Sequence, residues 1–227
     1  TDQSVKKLGV LGAGMMGAGI ALVSAQAGID VVLIDQTQES AENGKDFAAN
    51  HLSNGIKLGK TSQDQKESIL SKILPTTNLN ALSEADLIIE AVFEDPKVKS
   101  EITKEVERVI SKECIFASNT STLPINDLAK ASSRPDQFIG IHFFSPVEKM
   151  RLVEIIRGKQ TNDTAVAKAL DFVRQIKKTP IVVNDARFFY ANRCIIPYIN
   201  EGIRMVAEGI PPSMVNNAAQ MLGFPVG

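Results

Sequence analysis

Tryptophan is absent from this chain of 227 residues, and histidine and cysteine occur only twice each. The cysteines, Cys114 and Cys194, are too few for a disulfide framework or a four-ligand zinc centre. Both stand in apolar stretches, Glu-Cys-Ile-Phe-Ala and Arg-Cys-Ile-Ile-Pro. Buried, unpaired thiols in a reducing compartment are therefore expected, and no metal site. No apolar run approaches the roughly 20 residues that span a bilayer. The opening Thr-Asp-Gln-Ser is polar and has no signal-peptide pattern. An excess of one charge is also missing. Lys and Arg number 25 against 26 Asp and Glu, so no broad basic field exists to attract nucleic acid or an anionic membrane. With 44% hydrophobic and 22% charged residues, disorder is excluded as the main state. The length suits one large domain or two smaller ones. Histidine chemistry, if present, has two candidates, His51 and His142.

Along the chain, apolar runs of strand length alternate with helical patterns. Residues 5–11 read as a strand, 12–17 as a turn, and 16–27 as a helix stopped at Gly28. The continuous apolar run 31–34 is a strand ended by Asp35. Helices are expected over 38–58 and 62–73, joined by Gly59-Lys60-Thr61, and over 97–111, where Glu101 and Glu105 are spaced by four. Asn126-Asp127 opens a short helix, and another covers 163–177. Further strands are expected at 87–92, 115–118, 138–144, 151–156 and 180–183, with 145–149 as a loop. Strands apolar on both faces, alternating with helices, predict an α/β fold with a mainly parallel sheet covered on both sides. After Asn184-Asp185 the texture changes. Residues 188–208 read as a long, nearly all-round apolar helix, and Pro211-Pro212 opens another that ends near Leu222-Gly223. The expected division is 1–184 as the larger domain and 185–227 as the start of an all-α domain. The second part is too short for a confident core of its own. The final Phe-Pro-Val-Gly has no clear cap, so the expectation is a fragment that stops partway through a helical domain.

Gly12-Ala13-Gly14-Met15-Met16-Gly17 is a G-x-G-x-x-G turn between a strand and a helix. Gly12 permits the tight turn, Gly14 the approach of a pyrophosphate, and Gly17 close packing of helix on sheet. The N–H groups and dipole at the helix start favour the phosphate charge. Asp35 follows Gly12 at about 20 positions, the spacing of a carboxylate that accepts hydrogen bonds from an adenosine ribose. Gln36 and Thr37 come next, with no adjacent cation to welcome a 2′-phosphate, so NAD is preferred over NADP. A glycine turn with a capping aspartate remains the alternative.

His142 sits in the apolar strand Gly-Ile-His-Phe-Phe, and Glu154 in the middle of the next, between Val153 and Ile155. A carboxylate in such a strand needs a partner, because burying it alone is unfavourable. If the strands fold back across the loop 145–149, the two side chains meet. The carboxylate then fixes the ring's tautomer and leaves its other nitrogen as a base. A satisfied core histidine remains the alternative. Ser118-Asn119-Thr120-Ser121-Thr122 follows a strand end that points at the cofactor crevice, where it offers either small polar ligands or turn chemistry. Asn192 is a polar residue inside an apolar helix, with a site role or a packing role. Glu90 and Glu94 flank a strand end, Glu94 on the crevice side. His51 is read as a surface residue.

Together these pieces resemble the L-3-hydroxyacyl-CoA dehydrogenase family over nearly the whole chain. The markers are Gly-Ala-Gly-Met-Met-Gly, Val-Val-Leu-Ile-Asp, Glu-Ala-Val-Phe-Glu, Ser-Asn-Thr-Ser-Thr, His-Phe-Phe-Ser-Pro, Leu-Val-Glu-Ile-Ile and Ala-Asn-Arg. The wording around Ser145, with Ile199-Asn200-Glu201-Gly202 and Pro211-Pro212, looks most like the dehydrogenase part of multifunctional fatty-acid oxidation proteins. The resemblance implies a Rossmann-type fold and oxidation of 3-hydroxyacyl-CoA to 3-ketoacyl-CoA by NAD. It implies His142 as base, Glu154 as its orienting carboxylate, and Ser121 and Asn192 as substrate contacts. Gly12, Gly14, Met16, Gly17, Asp35, Glu94, Lys99 and Asn119 fall on the cofactor side. Lys57 and Lys60, between two helices, are candidates for the CoA phosphates; a solvated face is the alternative. The implied partners are a hydratase domain in the same chain, a thiolase subunit and a second copy through the C-terminal helices. The implied compartment is the cytoplasm in a bacterium, and the mitochondrial matrix or peroxisome elsewhere. Two departures stand out. Ser145 replaces a common Asn, and Ala186-Arg187-Phe188-Phe189 replaces Pro-Gly-Phe near the junction. Rival readings are an NAD-linked dehydrogenase of another hydroxyacid on the same fold, or a non-catalytic NAD-binding module.

Overall fold

The computed structural model describes residues 4–224. The leader and end-cap expectations rest on the two termini and so fall mainly outside the described residues. Contacts divide the chain after Arg187 into two units.

In chain order the first unit contains β1 (Lys7–Leu11), α1 (Met15–Gln26), β2 (Asp30–Ile34), α2 (Gln38–Lys57), α3 (Gln63–Ser71) and β3 (Ile73–Thr76). Then come β4 (Leu87–Glu90), α4 (Pro96–Val106), β5 (Ile115–Ser118), α5 (Ile125–Leu128), β6 (Phe138–Phe143), β7 (Leu152–Arg157), α6 (Asp163–Gln175) and β8 (Thr179–Asn184). The strands make one sheet in the order β3-β2-β1-β4-β5-β6-β7-β8. Every neighbouring pair is parallel except β6 with β7. The central strands are buried along their length, as their apolar runs require of a sheet covered on both faces. Caps set the helix starts. Thr37 accepts from the Ser40 N–H at α2, Ser62 and Gln65 form a capping box at α3, and Asp95 caps α4 with Pro96 following. The winding direction reverses between β1 and β4, so a crevice opens beyond Leu11 and Glu90 at the carboxyl ends of the strands.

Three expectations need correction here. The helix expected to reach residue 73 ends at Ser71, and Ile73–Thr76 is an edge strand parallel to β2. Ile73 is buried in the core, and Pro75 is tolerated because an edge strand leaves its missing N–H unneeded. The helix expected over 97–111 ends at Val106. Cys114 is buried as expected, but Cys194 is exposed. An apolar neighbourhood in sequence buries a thiol only where something packs on it.

The second unit holds α7 (Ala191–Ala207) and α8 (Pro212–Met221). The helix expected from residue 188 starts at Ala191, because Phe188 and Phe189 take left-handed backbone angles, φ 67° and 51°. It is amphipathic rather than apolar all round. Ile195, Ile199, Ile203 and Val206 follow one face, while Glu201 pairs with Arg204 at 3.2 Å. No helix among the described residues is long and apolar enough to cross a membrane, and no group of His, Cys, Asp and Glu among them is arranged to hold a metal.

Candidate active site

The antiparallel register of β6 and β7 sets His142 directly opposite Glu154. The two side chains meet. His142 Nδ1 lies 2.8 Å from Glu154 Oε2, and His142 Nε2 lies 3.1 Å from Ser121 Oγ. His142 is 3% and Glu154 0% exposed. In this low-dielectric setting the carboxylate, an acceptor only, calls for a proton on Nδ1. The neutral ring then turns its Nε2 lone pair toward Ser121 Oγ. The Phe144 ring tilts against the imidazole, with centroids 4.5 Å apart.

Ser121 belongs to the loop that follows β5, and Glu94 holds that loop. One Glu94 oxygen, Oε1, accepts from Thr120 Oγ1 at 2.6 Å, the Ser121 N–H at 3.0 Å and the Thr122 N–H at 3.3 Å. Burial alone would raise the Glu94 pKa, but the Thr120 hydroxyl, the Lys99 ammonium and the Ser121 N–H outweigh it and hold the carboxyl below its ordinary range. Asn119 is buried, and its side-chain oxygen accepts from the Phe143 N–H at 2.8 Å, tying the loop to the end of β6. Lys99 is buried as well. Its three donors meet Glu90 Oε1 at 2.6 Å, Glu94 Oε2 at 3.2 Å and the Val92 carbonyl at 3.3 Å. Lys99 thus stands behind the loop, among protein acceptors, and not on the crevice wall.

The glycine turn forms one wall of a cavity of about 430 Å³, with Asp35, Gln36, Phe93 and Ile102 also lining it. Gly12 has φ +93°, and a Cβ on Gly17 would lie 1.8 Å from the Gly12 carbonyl oxygen, so helix and turn touch there. Gly14 meets nothing within 4 Å of where a Cβ would stand, and as the N-cap of α1 it has no side-chain hydrogen bond. An open backbone at an uncapped helix start fits a pyrophosphate. Asp35 does two things. Its Oδ2 accepts from the Ala13 N–H at 2.6 Å and its Oδ1 from the Gln36 N–H at 2.7 Å, yet it also lines the cavity. The capping and the ribose readings are therefore compatible. The Met16 side chain packs partly buried against the core, which leaves only its backbone for the crevice, while Met15 is exposed with its sulfur 3.8 Å from Ser145 Oγ. Lys57 and Lys60 are exposed at the junction of α2 with the turn before α3. Asn192 lies in the first turn of α7, in the second unit. His51 is half-buried on α2.

One participant was missed in the sequence. Phe93, 80% exposed, lines the cavity just past β4, and an aromatic after a strand end was the available signal. Ser118, offered in the sequence as a small polar ligand or a turn residue, is instead fully buried and donates to Glu90 Oε2 at 2.8 Å.

Comparisons with known proteins show the family. The family model described as 3-hydroxyacyl-CoA dehydrogenase, NAD binding domain, matches residues 7–186, and that of the C-terminal domain matches 189–227. The chain is 42% identical, over 99% of its length, to a protein of Idiomarina loihiensis named fatty acid oxidation complex subunit alpha, of which it spans 32%. Among solved structures, (S)-3-hydroxybutyryl-CoA dehydrogenase PaaH1 from Ralstonia eutropha superposes with a TM-score of 0.95 at 37% identity, covering 99% of this chain and 80% of that one. FadB2 of M. tuberculosis gives the same TM-score at 36% identity, with the same coverage of both chains. The chain belongs to the 3-hydroxyacyl-CoA dehydrogenase family, and residues 7–186 match that family's NAD-binding domain.

Proposed function

We propose that this chain oxidises L-3-hydroxyacyl-CoA to 3-ketoacyl-CoA, with His142 as the base and Glu154 as its orienting carboxylate. The observation that carries the reading is the unbroken line Ser121 Oγ–His142 Nε2, His142 Nδ1–Glu154 Oε2, at 3.1 and 2.8 Å. NAD, when bound at the glycine turn, supplies the acceptor for the hydride leaving C3. His142 Nε2 takes the proton of the substrate hydroxyl. Glu154 keeps the ring in the tautomer that can do so and stabilises the imidazolium that forms. Ser121 donates to the substrate oxygen, and Asn192 is assigned a second contact to the substrate. General-base catalysis of this kind contributes about 10²–10⁴-fold. The Gly12, Gly14 and Gly17 backbone holds the pyrophosphate and Asp35 the ribose, while Glu94 and Asn119 complete the nicotinamide side through the loop they hold. Lys57 and Lys60, exposed on one helical hairpin, are assigned to the CoA phosphates.

The division into 1–184 and 185–227 is part of the same reading. A role in fatty-acid oxidation, alongside a hydratase domain and a thiolase subunit and in a bacterial cytoplasm, rests on likeness to the α subunits alone. The test follows NADH consumption with acetoacetyl-CoA and, separately, with free acetoacetate. Consumption with the thioester and not with the free acid is expected. Consumption only with the free acid would overturn the substrate class, and none with either would overturn the reading as a dehydrogenase.

A further inference from the structure

The side chain behind the site is a buried ion pair that the reaction itself does not use. Glu90 is the last residue of β4, opposite Leu11 on one side and Ser118 on the other. It is 1% exposed and Lys99 is 2% exposed. A carboxylate and an ammonium buried this far from water are stable only against each other and with their remaining valences filled. Here they are filled. Glu90 Oε1 accepts from Lys99 Nζ at 2.6 Å and from the Val92 N–H at 2.9 Å, and Oε2 accepts from Ser118 Oγ at 2.8 Å. Its backbone carbonyl accepts from the Asn119 N–H at 2.8 Å. The Glu90 carboxylate therefore grips the strand end before the Ser121 loop and the lysine, and the Glu90 carbonyl grips the main chain that leads into the loop.

Lys99 carries the grip onward. Its Nζ lies 3.2 Å from Glu94 Oε2, and the other oxygen of Glu94 binds Thr120 Oγ1 and the Ser121 N–H. The order of contacts is Glu90, Lys99, Glu94, Ser121, His142, Glu154. Two buried carboxylates thus bracket the reacting end, one reaching it through the histidine and the other through a lysine, a second carboxylate and the main chain. We infer that the buried Glu90–Lys99 pair is the anchor that positions Ser121 against His142, which makes Glu90 and Lys99 positioning residues for the reaction. The inference rests on the dehydrogenase reading above. Its physical ground is that a serine hydroxyl is placed only as well as the backbone that carries it, and displacement by about 1 Å lowers turnover by about 10²-fold.

The experiment separates positioning from plain stabilisation. In Glu90→Gln/Lys99→Met both buried charges are removed together and the shapes are kept, so the fold survives where either single change would strand a charge. Glu94 loses its cation. Thr120→Val leaves the pair intact and removes, at an isosteric side chain, the shortest bond from Glu94 to the loop together with the acceptor of the Leu123 N–H. Turnover of acetoacetyl-CoA, its KM, the dissociation constant of NADH and the melting temperature are measured on wild type and both variants. The expected result is a fall in kcat of about 10²-fold in the double variant and a smaller fall in Thr120→Val, with KM changed less than kcat in both and NADH affinity held in Thr120→Val. Wild-type kcat in a folded double variant overturns the inference. If the double variant does not fold, wild-type kcat in Thr120→Val overturns it. An inactive wild type overturns the dehydrogenase reading itself, and the positioning role with it.

Discussion

At the glycine turn, the groups offered to a ligand belong to the main chain. Gly14 stands open, α1 starts without a side-chain cap, and the carboxylate beside it, Asp35, is partly spent on the turn's own Ala13 N–H. At the β6–β7 pair the groups are side chains, buried and joined to one another, and the main chain only sets their register. The first construction suits a ligand held by its phosphates whatever its reacting end does. The second suits a proton transfer, which needs one basic nitrogen, one fixed tautomer and no water. The two regions should therefore fail differently: changes at the turn weaken binding, and changes at the pair slow turnover.

The largest expected break in that comparison is Glu154→Gln. It keeps the shape and removes the charge behind the ring, and turnover of acetoacetyl-CoA should fall by about 10²-fold or more while NADH affinity holds. A titration of NADH beside the kinetics checks both halves. Asp35→Ala is the mirror case. It should weaken NADH about tenfold, the value of one charge-assisted hydrogen bond, and leave acetoacetyl-CoA affinity nearly as it was. Equal NADH affinity would leave Asp35 as a cap of the turn and nothing more. The smallest effect concerns stability. Glu94 is held below its ordinary value of 4.5 in the folded chain. A depressed carboxylate stabilises above that ordinary value and loses the contribution as pH falls through the folded one. Glu94→Gln should therefore melt lower than wild type near neutral pH, and the gap should close as the pH drops below about 4.5. A gap that widens in acid would contradict the direction.

Much of this was legible before any coordinates. The runs at 31–34 and 87–92 are apolar without alternation, which only a doubly covered sheet explains. Glu154 announced itself because a carboxylate among Val and Ile has few tolerable neighbours, and His142 was within reach across a short loop. What stayed hidden depends on contacts that no local pattern carries. Ile73-Leu74 extends an amphipathic stripe in sequence, and only the vacant edge of β2 makes it a strand. Lys99 lies in a charged helix, and its burial follows from Glu90 nine residues earlier across a turn. Cys194 shows the opposite error: its apolar neighbours lie on a helix with no buried residue.

The central claim is that His142 moves the proton and does nothing for the cofactor. Its most direct test is His142→Gln, with turnover of acetoacetyl-CoA and the dissociation constant of NADH measured on the same sample. Turnover should fall by about 10²–10⁴-fold with NADH affinity unchanged. Turnover within a few-fold of wild type, in a variant that still binds NADH, would contradict the claim.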